Sequence, residues 1–190
     1  MTTTAIDGWE LDAGPARLRV GTDADVDAIT RVCRDPETQR WTRVPSPYER
    51  HHAQEFVEAQ WRGAEAPWEG LALTIADLDS DALLGAVGLD VDAAERSADL
   101  GFWVAPEARG RGVATAAARR MCALGFERLD LARISMHAAV GNEASNRVAH
   151  RLGFRHEGVL RAAHIAGPSG DPDAPRMDMH AYGLLPGELR

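Results

Sequence analysis

The stretch that most constrains this chain runs from residue 104 to residue 115 as Val-Ala-Pro-Glu-Ala-Arg-Gly-Arg-Gly-Val-Ala-Thr. An alternating strand ends there, Pro106 stops it, and Gly110 and Gly112 lead into an apolar series with Val113, Met121 and Leu124 on one face. The spacing predicts a helix from near residue 110 to about residue 128. The first N–H groups of a helix have no partner within it, and the aligned peptide dipoles add positive potential at that end. Together they suit a pyrophosphate. Glycine is required because a side chain would keep an anion away from the backbone. Arg109 and Arg111 add local positive charge.

The turn alone leaves open a dinucleotide, a nucleotide phosphate or no ligand at all. A dinucleotide fold is disfavoured, because its third glycine is replaced by Thr115 and the preceding strands lack crossover helices. All 21 basic residues are arginine, so the chain has neither the lysine of a P-loop nor that of a Schiff-base enzyme. The net charge of −8 argues against general nucleic-acid binding, which needs a basic face.

With 190 residues, 45% of them hydrophobic, the chain has the length and balance of one globular domain. Two cysteines, Cys33 and Cys122, make neither a disulfide framework nor a four-cysteine zinc site. No histidine or carboxylate set has metal spacing, so no metal is expected. The first residues carry Asp7 and Glu10 without a leader pattern, and no run approaches the roughly 20 apolar residues of a membrane span. The expectation is a cytoplasmic protein with no membrane contact.

Residues 1–14 read as a flexible arm and 15–190 as the domain. Strands are predicted at 16–20, 70–76, 82–91, 97–104, 131–140, 154–165 and 176–184, with an acidic turn at 77–81. Helices are predicted from Thr22, over 48–62, over 110–128 and over 143–152, the last closed by Gly153. Loops fall at 43–48 and 167–175. Asp23, Asp25 and Asp27 do not form a calcium loop, since Ala28 and Arg34 stand where glycine and glutamate are needed. The three strands between 70 and 104 lie close together with no helical pattern between them, which argues for antiparallel pairing. The reading is a single α/β (α+β) domain.

A second segment, Asn142-Glu-Ala-Ser-Asn146, precedes Val148, Leu152-Gly-Phe154 and Glu157-Gly158. Taken with Arg109-x-x-Gly112-x-Ala114, the chain resembles the GNAT superfamily of acyl-CoA N-acetyltransferases. It is most similar to the branch that includes ribosomal-protein N-terminal acetyltransferases of the RimJ/RimL type. Pro45-Ser-Pro-Tyr48, Leu100-Gly-Phe-Trp103 and the stretch from Asp178 to Leu185 support that branch, and the resemblance covers residues 16–187 in order. It implies a mostly antiparallel sheet of about seven strands with about four helices, the fourth and fifth strands splayed. Pyrophosphate would lie on the amides of Arg109, Gly110, Arg111, Gly112, Val113, Ala114 and Thr115. The pantetheine arm would run along Phe102, Trp103 and Val104, with Asn142 on that arm and Ser145 near the sulfur. The local alternatives are a helix-start residue for Asn142 and a water-exposed first-turn serine for Ser145.

The implied reaction is direct attack of an amine on the acetyl thioester, which needs a base, an oxyanion site and an acid. Many relatives carry an acid tyrosine seven residues after the motif asparagine; here that place is Ala149, and Ser145 stands in for it. Asp99 is the implied base, with Glu95, His137 and Glu157 as rivals. A solvent-facing Asp99 and a structural His137 are the bland alternatives. The acceptor would be a protein N-terminus or a small cationic molecule, and acetyl-CoA the cosubstrate. A CoA-binding regulatory domain without catalysis is the alternative function, and a longer acyl chain a variant of the first. Relatives also suggest a homodimer through edge strands.

Overall fold

The structure, a computed structural model, describes residues 10–165 and 175–190. Residues 1–9 of the expected arm, and all but the last residue of the expected 167–175 loop, lie outside the described residues.

Among the described residues alternating apolar positions build eight strands: β1 (Leu11–Asp12), β2 (Arg17–Arg19), β3 (Leu71–Ala76), β4 (Leu83–Asp92), β5 (Ser97–Val104), β6 (Arg133–Ala139), β7 (Arg155–Ile165) and β8 (Arg176–Leu184). They form one sheet in the order β1-β2-β3-β4-β5-β6-β8-β7. The added strand is β1, whose Leu11 and Asp12 pair with Leu18 and Arg17, so the sheet begins before residue 15. Neighbours are antiparallel except β5 and β6.

Among the described residues five helices flank the sheet: α1 (Val26–Cys33), α2 (Pro36–Trp41), α3 (Arg50–Glu65), α4 (Val113–Arg128) and α5 (Glu143–Leu152). The short α2 is absent from the sequence reading because it has no apolar stripe: its only buried residue is Thr38. Asp35 starts it by accepting a bond from the Thr38 N–H at 2.9 Å, and Pro36 fits its first turn. The start expected near residue 110 for α4 moves to Val113, because Gly110 and Gly112 have φ of +76° and +80°, outside the right-handed helical region. Thr22 and Asp25 form the expected capping box, on a 3₁₀ turn ahead of α1.

The core lies on both faces of the central strands. On one of them α4 buries Val113, Met121 and Leu124 as expected. Gly125 lets it approach closely, since a Cβ there would stand 3.0 Å from Leu89 and Leu131 side-chain carbons. Each fully buried residue of this kind contributes about 1.5–3 kcal/mol. On the other face α1 and α3 bury Ile29, Val32 and Val57. No helix among the described residues is long and apolar enough to cross a membrane.

The parallel pair β5–β6 is short. Only Ser97, Ala98 and Asp99 pair, with Arg133, Ile134 and Ser135. Beyond Asp99, β5 keeps only its β4 partners as far as Val104, and β6 keeps only β8. The two strands part there, as the resemblance implied for the fourth and fifth strands.

Candidate active site

The glycine turn closes the wide end of this gap. Arg109 N–H donates to Pro106 O at 3.3 Å, and the next internal bond is Ala116 N–H to Gly112 O. The six amides of residues 110–115 therefore find no acceptor among the described residues. The expectation included the Arg109 amide; the bond to Pro106 removes it. The Arg109 side chain is also engaged, with its Nη2 2.5 Å from Asp35 Oδ2. Arg111 stands 3.9 Å from Asp77. Six free N–H groups at the positive end of a 16-residue helix form an anion cradle made of backbone alone.

A cavity of about 1170 Å³ runs along the gap; on β5 its lining reaches from Asp99 to Trp103, and the residues of the turn lie just beyond it in the chain. Phe102, Trp103, Asn142 and Ser145 line it. Val104 does not line it; its carbonyl accepts from Arg109 Nε at 3.3 Å. Asn142 has both properties foreseen for it: it faces the cavity, and its Oδ1 caps α5 by accepting from Ser145 N–H at 3.2 Å. That leaves its amide nitrogen for a ligand. The Ser145 hydroxyl has no partner among the described residues.

At the narrow end the structure joins two residues that the sequence held as rivals. His137 Nδ1 lies 3.3 Å from Asp99 Oδ1, and both line the cavity. Asp99 sits on the last paired position of β5, and His137 lies two residues past its partner Ser135. The bond to His137 holds the Asp99 carboxyl below its ordinary 3.8. The same bond, against the desolvation of the ring, raises His137 above 6.5. An ionised carboxylate only accepts, so Nδ1 carries the proton and Nε2 is the free lone pair of the neutral ring. The other rivals are placed elsewhere. Glu157 is bound to Arg133. Glu95 occupies a surface turn, its N–H on Asp92 Oδ1, and does not line the cavity.

Neither tyrosine fills the place left by Ala149, which is fully buried. Tyr182 OH donates to Asn146 Oδ1 at 2.8 Å, and the Tyr48 hydroxyl is bonded to Cys33. Burial pushes the Cys33 and Cys122 thiols up to about 11 and about 12. Neither is a thiolate at neutral pH.

The opposite wall was not foreseen as part of the site. Trp41, Arg43 and Tyr48 come from the end of α2 and the loop after it, and His52 and Glu55 from α3. His52 faces this cavity, and its Nδ1 accepts the Glu49 N–H at 3.0 Å. The available signal was the spacing of Tyr48, His52, Glu55 and Ala59 on one helical stripe. It carries no pattern that distinguishes a cavity wall from a solvated face.

Residues 16–155 match the acetyltransferase (GNAT) domain family. YdaF of Bacillus subtilis (strain 168), provisionally named a ribosomal N-acetyltransferase, is 38% identical over 56% of this chain and 58% of its own length. The alignment therefore spans less than two thirds of that relative. YoaA of the same organism, named an uncharacterized N-acetyltransferase, is 30% identical over 76% of this chain and 81% of its own. Among solved structures, RimL, a ribosomal L7/L12 α-N-protein acetyltransferase in complex with coenzyme A, shares the fold. Its TM-score is 0.80 over 93% of this chain and 97% of that one, at 17% identity.

Proposed function

The chain belongs to the GNAT acetyltransferase family, and from that premise we propose that it transfers an acetyl group from acetyl-CoA to a primary amine by direct attack in a ternary complex. The observation that carries the reading is the run of six amides at 110–115 without a partner among the described residues, set at one end of an open strand seam whose other end holds Asp99 and His137. Five residue-to-residue steps of strand lead from Asp99 to Val104, about 16 Å at the usual rise. The pantetheine arm has about twelve chain bonds, equal to four residues, or roughly 14 Å extended. An arm anchored by its pyrophosphate on the turn therefore brings its sulfur toward the pair. Strand backbone unpaired along β5 would read the arm's amides, and the Asn142 side-chain nitrogen would hold it from α5.

The residues then divide the chemistry. An amine attacks only when deprotonated, and a base works best with a pKa near the operating pH. His137, raised by Asp99, meets that condition better than the depressed Asp99 carboxyl. His137 Nε2 accepts the amine proton, while Asp99 fixes the ring and balances its charge. As the new C–N bond forms and the C–S bond breaks, Ser145 donates a hydrogen bond to the leaving thiolate, directly or through a water. A thiolate needs little help to leave, which fits the missing tyrosine. With both cysteines buried and protonated, no thiol competes to carry the acetyl group.

The acceptor we propose is a protein N-terminus, in keeping with the names of YdaF and RimL; a small cationic amine is the second candidate. The net charge of −8 favours a positively charged acceptor of either kind. The test is thiol release from acetyl-CoA with synthetic peptides of free N-terminus, polyamines and amino acids, read beside a mass gain of one acetyl group. Transfer to peptides supports the reading. CoA binding by calorimetry with no transfer to any amine would favour a regulatory CoA-binding domain instead.

A further inference from the structure

The sequence places Arg109 at the phosphate turn, yet its side chain reaches away from it. Nη2 donates to Asp35 Oδ2 at 2.5 Å and to Thr38 Oγ1 at 3.1 Å. Asp35 Oδ2 also accepts from Thr38 N–H at 2.9 Å and from Thr38 Oγ1 at 3.2 Å. These bonds matter because α2 has six residues and buries no apolar side chain. Isolated helices of that length do not hold in water, so α2 depends on ties at its ends. At its far end Trp41 leans over Gly141, where an added Cβ would lie 3.7 Å from Trp41 Cη2. Gly141 directly precedes Asn142. The helix thus spans from the phosphate turn to the start of α5, and leads straight into the Thr42–Tyr48 wall of the cavity.

We propose that Arg109 is a positioning residue: by tying α2 to the phosphate turn it makes occupancy of that turn by CoA set the acceptor wall. The inference rests on the proposed seating of CoA pyrophosphate at 110–115. The amides of 110–115 have no backbone partner among the described residues, and glycines at positive φ stand on both sides of Arg111. Six amides held by one anion fix the turn, and with it the Arg109 backbone and the reach of its guanidinium to Asp35. An acceptor arriving next meets a wall already ordered and loses less entropy on binding, which is positive coupling without a change of fold.

Hydrogen exchange of the full chain, with and without free CoA, reads this without knowing the acceptor. It is run on wild type, Arg109→Ala, Arg109→Lys and Asp35→Asn. Asparagine keeps the Thr38 cap and loses only the charge. In wild type, CoA should slow exchange at 110–116 and, by about tenfold, at 36–42. In Arg109→Ala and Asp35→Asn the slowing at 110–116 should persist while that at 36–42 falls below about twofold. Arg109→Lys should restore part of it. Wild-type protection confined to 110–116, or full protection of 36–42 in both variants, overturns the coupling. So does a loss of CoA affinity in Arg109→Ala that Asp35→Asn does not share, since Arg109 would then be a phosphate ligand. If wild type shows no CoA protection at 110–116, the cofactor seating itself fails, and the coupling with it.

Discussion

Replacing Gly112 with valine separates the turn's conformational role from its binding role. Gly112 is the N-cap of α4 with φ of +80° and ψ of −3°. No atom lies within 4 Å of the Cβ that a substitution would add, so the cost to the free protein is conformational rather than a clash. A β-branched residue forced to positive φ costs on the order of 1–3 kcal/mol. In a domain of this size that lowers Tm by roughly 2–4 °C per kcal/mol. The protein should therefore fold and melt about 5–10 °C lower. The open space around the new side chain is the space an anion needs to reach the amides. Losing two charge-assisted hydrogen bonds at about 1.5–3 kcal/mol each weakens CoA binding by roughly 10²–10⁴-fold. Calorimetric titration of CoA into the folded variant, beside a melting curve, measures both effects. Gly112→Asn is the control, because asparagine tolerates positive φ. It should recover most of the Tm while binding stays weak. Wild-type CoA affinity in a folded Gly112→Val protein would refute the pyrophosphate assignment.

Asp99→Asn should lower kcat more than it raises the KM for acetyl-CoA, because it acts on proton transfer. Activity needs neutral His137, so the acid limb of wild-type kcat/KM should lie above 6.5 and move down in the variant, which removes the group that raises His137; an unmoved limb would place the base elsewhere. The pair also stabilises the fold only between the depressed Asp99 value and the raised His137 value, and that contribution is lost as pH rises through the latter. Ser145→Ala should reduce kcat by up to about 10²-fold with CoA affinity and Tm nearly unchanged, and full activity would leave Ser145 a helix residue only. Gly153→Ala should lower stability by about 2–4 kcal/mol without touching the site. Gly153 has φ of +91° and a Cβ there would meet Glu188 O at 2.4 Å; a melting curve within a degree of wild type would contradict that geometry.

What the sequence alone determined is local. Strand alternation from Ser97 to Val104, the stop at Pro106, the glycines of the turn, the Asn142 cap and the Gly153 end of α5 each answer a φ/ψ or hydrogen-bond demand set by near neighbours in the chain. Those demands are written in residue type and spacing, so the cradle and both helix starts around it were legible, with the α4 boundary off by one turn. The tertiary structure decided which distant groups meet. The pairing of β5 with β6 for only three residues places Asp99 beside His137 instead of leaving them as rivals. The packing of α4 on the sheet brings the turn to α2, so that the Arg109 side chain meets Asp35. The wall from Trp41 to Glu55 faces the cavity only because α3 lies along the same opening. Strand register and helix packing depend on the whole buried surface at once, and no local pattern of residues carries that information.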